Sequence, residues 1–253
     1  LTHDHLDYHK NLENYFGAKK KFFKMLPSQA FALANVDDEY GTKMLEGIRA
    51  KKYTYGFKNQ ADFNQKLGTK LLGEFNAYNA LAVYASAVLL GEDKEKIKEI
   101  LKNIEPPKGR LEHFTSKNGV LVIVDYAHTP DALKNVLKTI KDVKKENTRI
   151  ISVFGCGGDR DPLKRPIMGK LGAELSNLAI FTSDNPRSED PDKIIEQMKT
   201  GLSAEDIKKV KTIANRRKAI RESVKLAQKG DIILCAGKGH EDYQEIKGVK
   251  HHF

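Results

Sequence analysis

The sequence predicts a mixed α/β protein whose second half is a mostly parallel sheet with helices on both faces. Three observations predict it. From Arg110 onward, short β-rich runs alternate with amphipathic helical stretches. Those runs are apolar almost throughout, as strands buried on both faces are. Pro106-Pro107-Lys108-Gly109 separates this half from a differently patterned first part, because two prolines and a glycine forbid continued helix. The reading is therefore two domains, at residues 1–107 and 108–253.

A chain of 253 residues has enough material for one large or two ordinary domains with real cores. Hydrophobic content of 40% and charged content of 31% fit a soluble globular protein. No apolar run approaches the ~20 residues of a membrane span, and nothing at the start resembles a signal peptide. A cytoplasmic protein without membrane association is expected. The two cysteines, Cys156 and Cys235, imply no disulfide framework and read as buried, inert thiols. Lys+Arg 44 against Asp+Glu 34 gives +10, which fits an anionic partner. The lysines are scattered along helical stretches, and no aromatic-interleaved basic strand of the RNA-binding kind stands out. Nucleic acid is therefore not the expected partner.

The chain opens with Leu1-Thr2-His3-Asp4-His5-Leu6-Asp7-Tyr8-His9. Three histidines and two aspartates invite a metal reading. The H-x-H-x-D-H hydrolase pattern fails by one residue, since Tyr8 separates Asp7 from His9. One histidine with nearby carboxylates suits a hard ion such as Mg²⁺ better than zinc. Leu12, Tyr15, Phe16, Lys19, Phe22, Phe23 and Leu26 then share one helical face. Lys19 is the odd member: either a snorkelling side chain or a desolvated amine able to do chemistry.

Residues 29–35 read as a strand, and Asp37-Asp38 as the start of a helix to about Leu45. Residues 52–57 read as a second strand, and 59–69 has no clear pattern. The helix from Ala80 to Leu90 is apolar nearly all round and is expected to be buried. Asn76 and Asn79 lie one turn apart at its start, placed to cap it or to read a purine edge. Lys94 to Asn103 is a short amphipathic helix.

In the second half, Val120 to Val124 is a strand ending at Asp125. Thr129 is an N-cap with Pro130 at the first helical position, and Leu133, Val136, Leu137, Ile140 and Val143 mark the helix. Further strands span 149–154, 178–182, 210–214 and 231–236, and helices follow the first four strands of this half. In a parallel sheet with right-handed crossovers, all strand C-terminal ends lie on one rim. That rim collects residues 125–128, 155–161, 184–187 and 237–241, every polar or glycine-rich loop of this half. A binding crevice is expected there. The loops lack the G-x-G-x-x-G and G-x-x-x-x-G-K-[ST] fingerprints. Within Thr182-Ser183-Asp184-Asn185-Pro186-Arg187, Asp184 suits an ammonium and Arg187 a carboxylate or phosphate. The alternative is a turn with an Asx cap and a surface ion pair.

Residues 4–9, Tyr15 to Lys19, Gly73 to Asn79, Gly109-Arg110-Leu111-Glu112, Asp125 to Pro130, Gly157 to Pro166, Asp184 to Arg187 and Gly237 to Gln244 together resemble the Mur ligase family, in the family's order over nearly the whole chain. Within it they resemble the members that join meso-diaminopimelate to UDP-N-acetylmuramoyl-L-alanyl-D-glutamate. The resemblance implies part of a central ATPase-type α/β domain followed by a Rossmann-like domain that binds the amino acid. It implies ATP and Mg²⁺ as cofactors, the UDP-muramoyl dipeptide and the diamino acid as partners, an acyl-phosphate intermediate, and a monomer. Carried over by motif, His5 and a carbamylated Lys19 resemble Mg²⁺ ligands and catalytic groups. Asn76 and Asn79 resemble adenine contacts, with Arg110, Asp125 and His128 on the nucleotide side. Arg160, Asp184, Asn185, Arg187, Gly237 and Glu241 resemble the amino-acid site.

The family's phosphate loop and N-terminal domain do not occur in these residues, so no turnover is expected of them alone. Asp161-Pro162-Leu163-Lys164-Arg165 also departs from the commoner form of its loop. Three other readings stand beside this one: the same ligation with L-lysine, a basic nucleic-acid-binding module, and a metal-dependent hydrolase on His3, His5, Asp7 and His9.

Overall fold

The structure, a computed structural model, describes residues 1–2 and 6–253. The chain divides into two compact units, Leu1–Glu105 and Pro106–Phe253.

The first unit begins with α1 (Leu6–His9) and α2 (Leu12–Met25), the latter capped by the Asn11 side chain. β1 (Phe31–Asn35), α3 (Gly41–Leu45) and β2 (Lys51–Tyr55) follow, and the two strands pair in parallel. α4 (Glu74–Leu89) and α5 (Lys94–Asn103) complete the unit. One small core joins Ala32, Ala34, Leu45, Ile48 and Ala50, with Phe23 and Leu26 against it. A second joins Tyr84, Ile97 and Leu101. Two expectations are corrected. Asp37 and Asp38 lie in a turn before α3, because the Asp37 carboxylate is drawn off to the backbone of residues 57–59. α4 is not buried all round: Ala80, Leu81, Tyr84 and Ala85 are buried, while Val83 is 54% exposed.

The second unit holds β3 (Glu112–Thr115), β4 (Leu121–Asp125), α6 (Pro130–Val143), β5 (Ile150–Phe154), α7 (Lys164–Leu175), β6 (Leu178–Phe181), α8 (Pro191–Lys199), α9 (Ala204–Ile207), β7 (Val210–Thr212), α10 (Arg216–Leu226), β8 (Ile232–Ala236), β9 (Tyr243–Ile246) and β10 (Val249–His252). Six strands form one sheet in the order β3-β4-β8-β5-β6-β7, parallel except for β3. The predicted mostly parallel sheet is therefore present, with β8 inserted between β4 and β5.

Period-two alternation sorts the strand side chains onto two faces. Ile151 and Val153 of β5 join Ile233, Cys235, Ile180 and Ala219 of α10 in one core. Phe154 points the other way, against α7. A Cβ at Gly172 would lie 2.2 Å from the Phe154 ring, so this close approach requires glycine. β5 and β8 are buried along their whole lengths, which is why they read as unbroken apolar runs. Pro130 starts α6 behind the Thr129 cap as expected. The edge strand β3 and the β9–β10 hairpin carry polar, mostly exposed residues and had no apolar pattern to reveal them.

Among the described residues no helix is long and apolar enough to cross a membrane. Both cysteines are buried. Burial pushes the Cys156 thiol up to about 12 and Cys235 upward as well, so neither is a ready nucleophile.

Candidate functional site

The ends of β4, β8, β5 and β6 bring their loops to one rim of the second unit. Asp184 and Asn185, both buried, follow β6. Lys238, which sequence reasoning did not single out, follows β8 and is only 4% exposed. Its ammonium nitrogen lies 2.5 Å from Asn185 Oδ1, 2.7 Å from the Tyr243 carbonyl, 3.1 Å from Glu241 Oε2 and 3.4 Å from Asp184 Oδ1. Asn185 donates through Nδ2 to Glu241 Oε2 at 3.2 Å. The Tyr126 hydroxyl lies 3.4 Å from Glu241 Oε1. Burial, then Glu241, raises the pKa of that phenol and keeps it a donor. Two carboxylates share the Lys238 ammonium, and the buried Arg216 guanidinium stands near Asp184, its Nη2 4.0 Å from where a Cβ on Gly237 would lie.

Gly237 makes this packing possible. Its φ of +109° is strained for any residue with a side chain, and a Cβ there would lie 2.7 Å from Asp184 Oδ2.

Beside the cluster stand two arginines. Arg187 sits at φ +49°, held by its N–H to the Glu245 carbonyl and by its own carbonyl receiving the Lys247 N–H. Its Nη1 donates to the Gly158 carbonyl at 2.7 Å, and its Nε lies 3.3 Å from Glu245 Oε2. The Arg160 side chain, exposed, flanks the same glycine as Arg187: a Cβ on Gly157 would be 3.1 Å from Arg187 Nη1 and 3.6 Å from Arg160 Cγ. Below them the fully buried Arg165 clamps Glu189 through two 2.8 Å bonds and reaches the Gly157 carbonyl. Arg165 holds the Glu189 carboxyl below its usual range. Arg165 was legible only as part of an unusual loop, since its partner lies 24 positions away.

The candidates for the nucleotide side in this unit gather around Tyr126. Arg110 lies over its ring at 4.6 Å, and the His128 ring meets it edge-on at 4.8 Å. Asp125 differs from its expected role. Its carboxylate accepts the N–H groups of Leu111 (2.8 Å) and Ala127 (2.7 Å), and its carbonyl accepts those of Gly237 and Gly239. It ties loops together. Burial raises its pKa against the pull of those two N–H groups.

The candidates of the first unit are less assembled. His5, with His3 of the hydrolase reading, lies outside the described residues. Lys19 is exposed, its ammonium 4.9 Å from the centroid of the Tyr15 ring, and Phe22 on the same stretch is 66% exposed. Of the two readings of Lys19, this position agrees with the snorkelling side chain, since α2 buries no residue. Asn76 does not cap α4, which begins behind Gly73; its Nδ2 donates to the Leu72 carbonyl, and Asn79 donates to Asn76 Oδ1 at 3.3 Å. Each amide keeps an N–H for a ligand, a donor set that fits a purine edge. Among the described residues, no group of three or more His, Cys, Asp or Glu side chains is placed to hold a metal ion. His5 lies outside the described residues, so Lys19 is the proposed ligand that can be placed, and its side chain is open to solvent.

Two family profiles match the chain: the Mur ligase middle domain over residues 1–87, and the Mur ligase glutamate ligase domain over residues 109–239. The chain is 51% identical to the UDP-N-acetylmuramoyl-L-alanyl-D-glutamate--2,6-diaminopimelate ligase of Bacteroides thetaiotaomicron, over 100% of this chain and 56% of that protein. It spans about half the length of the curated relatives it matches. A solved structure of a ligase of the same name is 36% identical, with a TM-score of 0.56, over 100% of this chain and 56% of that one. A pseudomurein peptide ligase type C from Methanothermus fervidus shares the fold at a TM-score of 0.75 and 18% identity, over 94% and 59%.

Proposed function

The chain belongs to the Mur ligase family, and on that premise we propose that it is the amino-acid-binding part of an ATP-dependent, ADP-forming amide ligase that adds meso-diaminopimelate to UDP-N-acetylmuramoyl-L-alanyl-D-glutamate in peptidoglycan precursor synthesis. The observation that carries the reading is the pairing of charges on the rim: the Asp184–Glu241–Lys238 cluster beside the guanidinium groups of Arg187 and Arg160. A diamino diacid carries both signs at both ends. L-lysine lacks the second carboxylate, and its terminal ammonium opposes an arginine. The relatives' printed names support the same substrate.

In this reading Asp184 and Glu241 hold an ammonium and the arginines hold a carboxylate. The amine to be joined is thereby oriented before attack, which is where such a site lowers the barrier. Asn76 and Asn79 read the adenine of ATP, and Arg110 and His128 stand on the nucleotide side. Mg²⁺ belongs to the proposal as the neutraliser of phosphate charge. Its proposed ligands are His5 and a carbamylated Lys19. The enzyme is read as cytoplasmic and monomeric.

Calorimetric titration of the 253-residue chain tests the substrate. Binding of meso-diaminopimelate at least tenfold tighter than L-lysine is expected. Equal affinities, or no heat with either, would overturn the assignment.

A further inference from the structure

We propose that Lys238 is a positioning residue of this site: it fixes the direction of the Asn185 amide and holds Asp184 and Glu241 together where a ligand's ammonium would meet them. The identity of that ligand rests on the reading above; the role of Lys238 rests on the geometry of the cluster.

Lysine is almost never fully buried unless paired. Here three N–H donors face four oxygens, contributed by the loop after β6, the loop after β8, and β9. Asn185 Oδ1 receives both the Lys238 ammonium and the Glu245 N–H at 2.9 Å. Both partners are donors only, so the oxygen must face them. Turned over, the amide would set its own NH₂ against an ammonium and an N–H. Nδ2 is therefore directed to the other side, where one N–H meets Glu241 Oε2 and the second is free for an acceptor on the ligand. The charges follow the same logic. Asp184 and Glu241 alone would be a dianionic pair in a buried setting, an arrangement that repels itself. Lys238 offsets that repulsion by pairing with both.

Side-chain amide NMR of the ligand-free protein gives the first test. The Asn185 NH₂ protons are expected as two separate, slowly exchanging signals displaced from free-amide positions. Signals at free-amide positions would overturn the proposal, whatever the ligand proves to be. Lys238→Met is expected to keep a cooperative melt, to shift the Asn185 signals from their parent positions, and to weaken meso-diaminopimelate at least tenfold in calorimetry. A folded Lys238→Met with unmoved signals and affinity within twofold of the parent would sink the idea. Should that variant fail to fold, Asn185→Asp carries the same question: it keeps an oxygen for Lys238 and removes the amide donor. A tenfold loss is expected, and affinity within twofold would count against the role. A parent protein that binds no diaminopimelate while showing the displaced signals would overturn the ligand reading and leave Lys238 as the residue that orients Asn185.

Discussion

Asp37 and Asp184 are both aspartates just past a strand, and the difference between their surroundings separates a saturated carboxylate from one with acceptor capacity left. Asp37, in the first unit, accepts from the N–H groups of Phe57, Lys58 and Asn59, from Asn59 Nδ2, and from the Tyr78 hydroxyl at 2.7 Å. Five donors saturate it. Asp184, in the second unit, shares one ammonium with Glu241 and keeps acceptor capacity beside a glycine that leaves it room. Asp125 stands between the two: one backbone N–H reaches each of its oxygens, and each oxygen keeps a further acceptor position. A carboxylate with every acceptor position taken holds the chain. A carboxylate with acceptor positions left, as at Asp184, is the kind the proposed site uses.

Substitutions can break this contrast from either side. The largest effect is expected at Arg187, where Arg187→Ala should weaken meso-diaminopimelate by ~2–4 kcal/mol, the loss for a charge-assisted bidentate partner. Unchanged affinity by calorimetry would remove Arg187 from the site. Asp37→Asn should cost stability instead, about 1–3 kcal/mol by urea denaturation, because the new amide sets donors against donors. Diaminopimelate affinity should not change.

The same carboxylate predicts a pH dependence. Burial pushes the Asp37 carboxyl up, but the bonds from Lys58, Tyr78, Phe57 and Asn59 outweigh it and hold it well below the usual range. A group depressed on folding stabilises above its unfolded pKa, and the stabilisation is lost as pH falls through the folded one. Urea midpoints measured from pH 7 down to pH 3 should therefore fall less steeply in Asp37→Asn than in the parent. Parallel curves would show that Asp37 is not the group responsible. Gly237→Ala should cost about 1–2 kcal/mol in stability from its positive φ, with weaker ligand binding as Asp184 is displaced, read by melting and calorimetry on one sample. The smallest effect belongs to Asn79→Ala on the exposed start of α4: within about 0.5 kcal/mol in stability. Any change in ATP affinity, followed by nucleotide titration, then reports on the proposed adenine contact alone.

Much of the second unit was legible because its signals are local. Unbroken apolar runs mark β5 and β8, Thr129-Pro130 marks the start of α6, and parallel strands place residues 184–187 and 237–241 on one rim. Lys238 stood in the same Gly-Lys-Gly-His-Glu stretch as two chosen residues and was still missed, since nothing local distinguishes a buried lysine from a solvated one. Lys19 had two readings, a snorkelling side chain or a desolvated amine, and its exposed position agrees with the first. Its apolar neighbours at helical spacing imply burial only if another surface covers that face, and α2 buries none of its residues.

The sequence alone determined the alternation of strands and helices, the break at Pro106-Pro107, and the residue types gathered at the rim, because periodicity and turn chemistry act over a few residues. The tertiary structure decided which carboxylates are closed and which remain open. That outcome depends on donors from Phe57 to Tyr78 for Asp37, and on an ammonium 54 positions along the chain for Asp184. Hydrogen-bond capacity is settled by neighbours in space, and no spacing along the sequence encodes how many of them arrive.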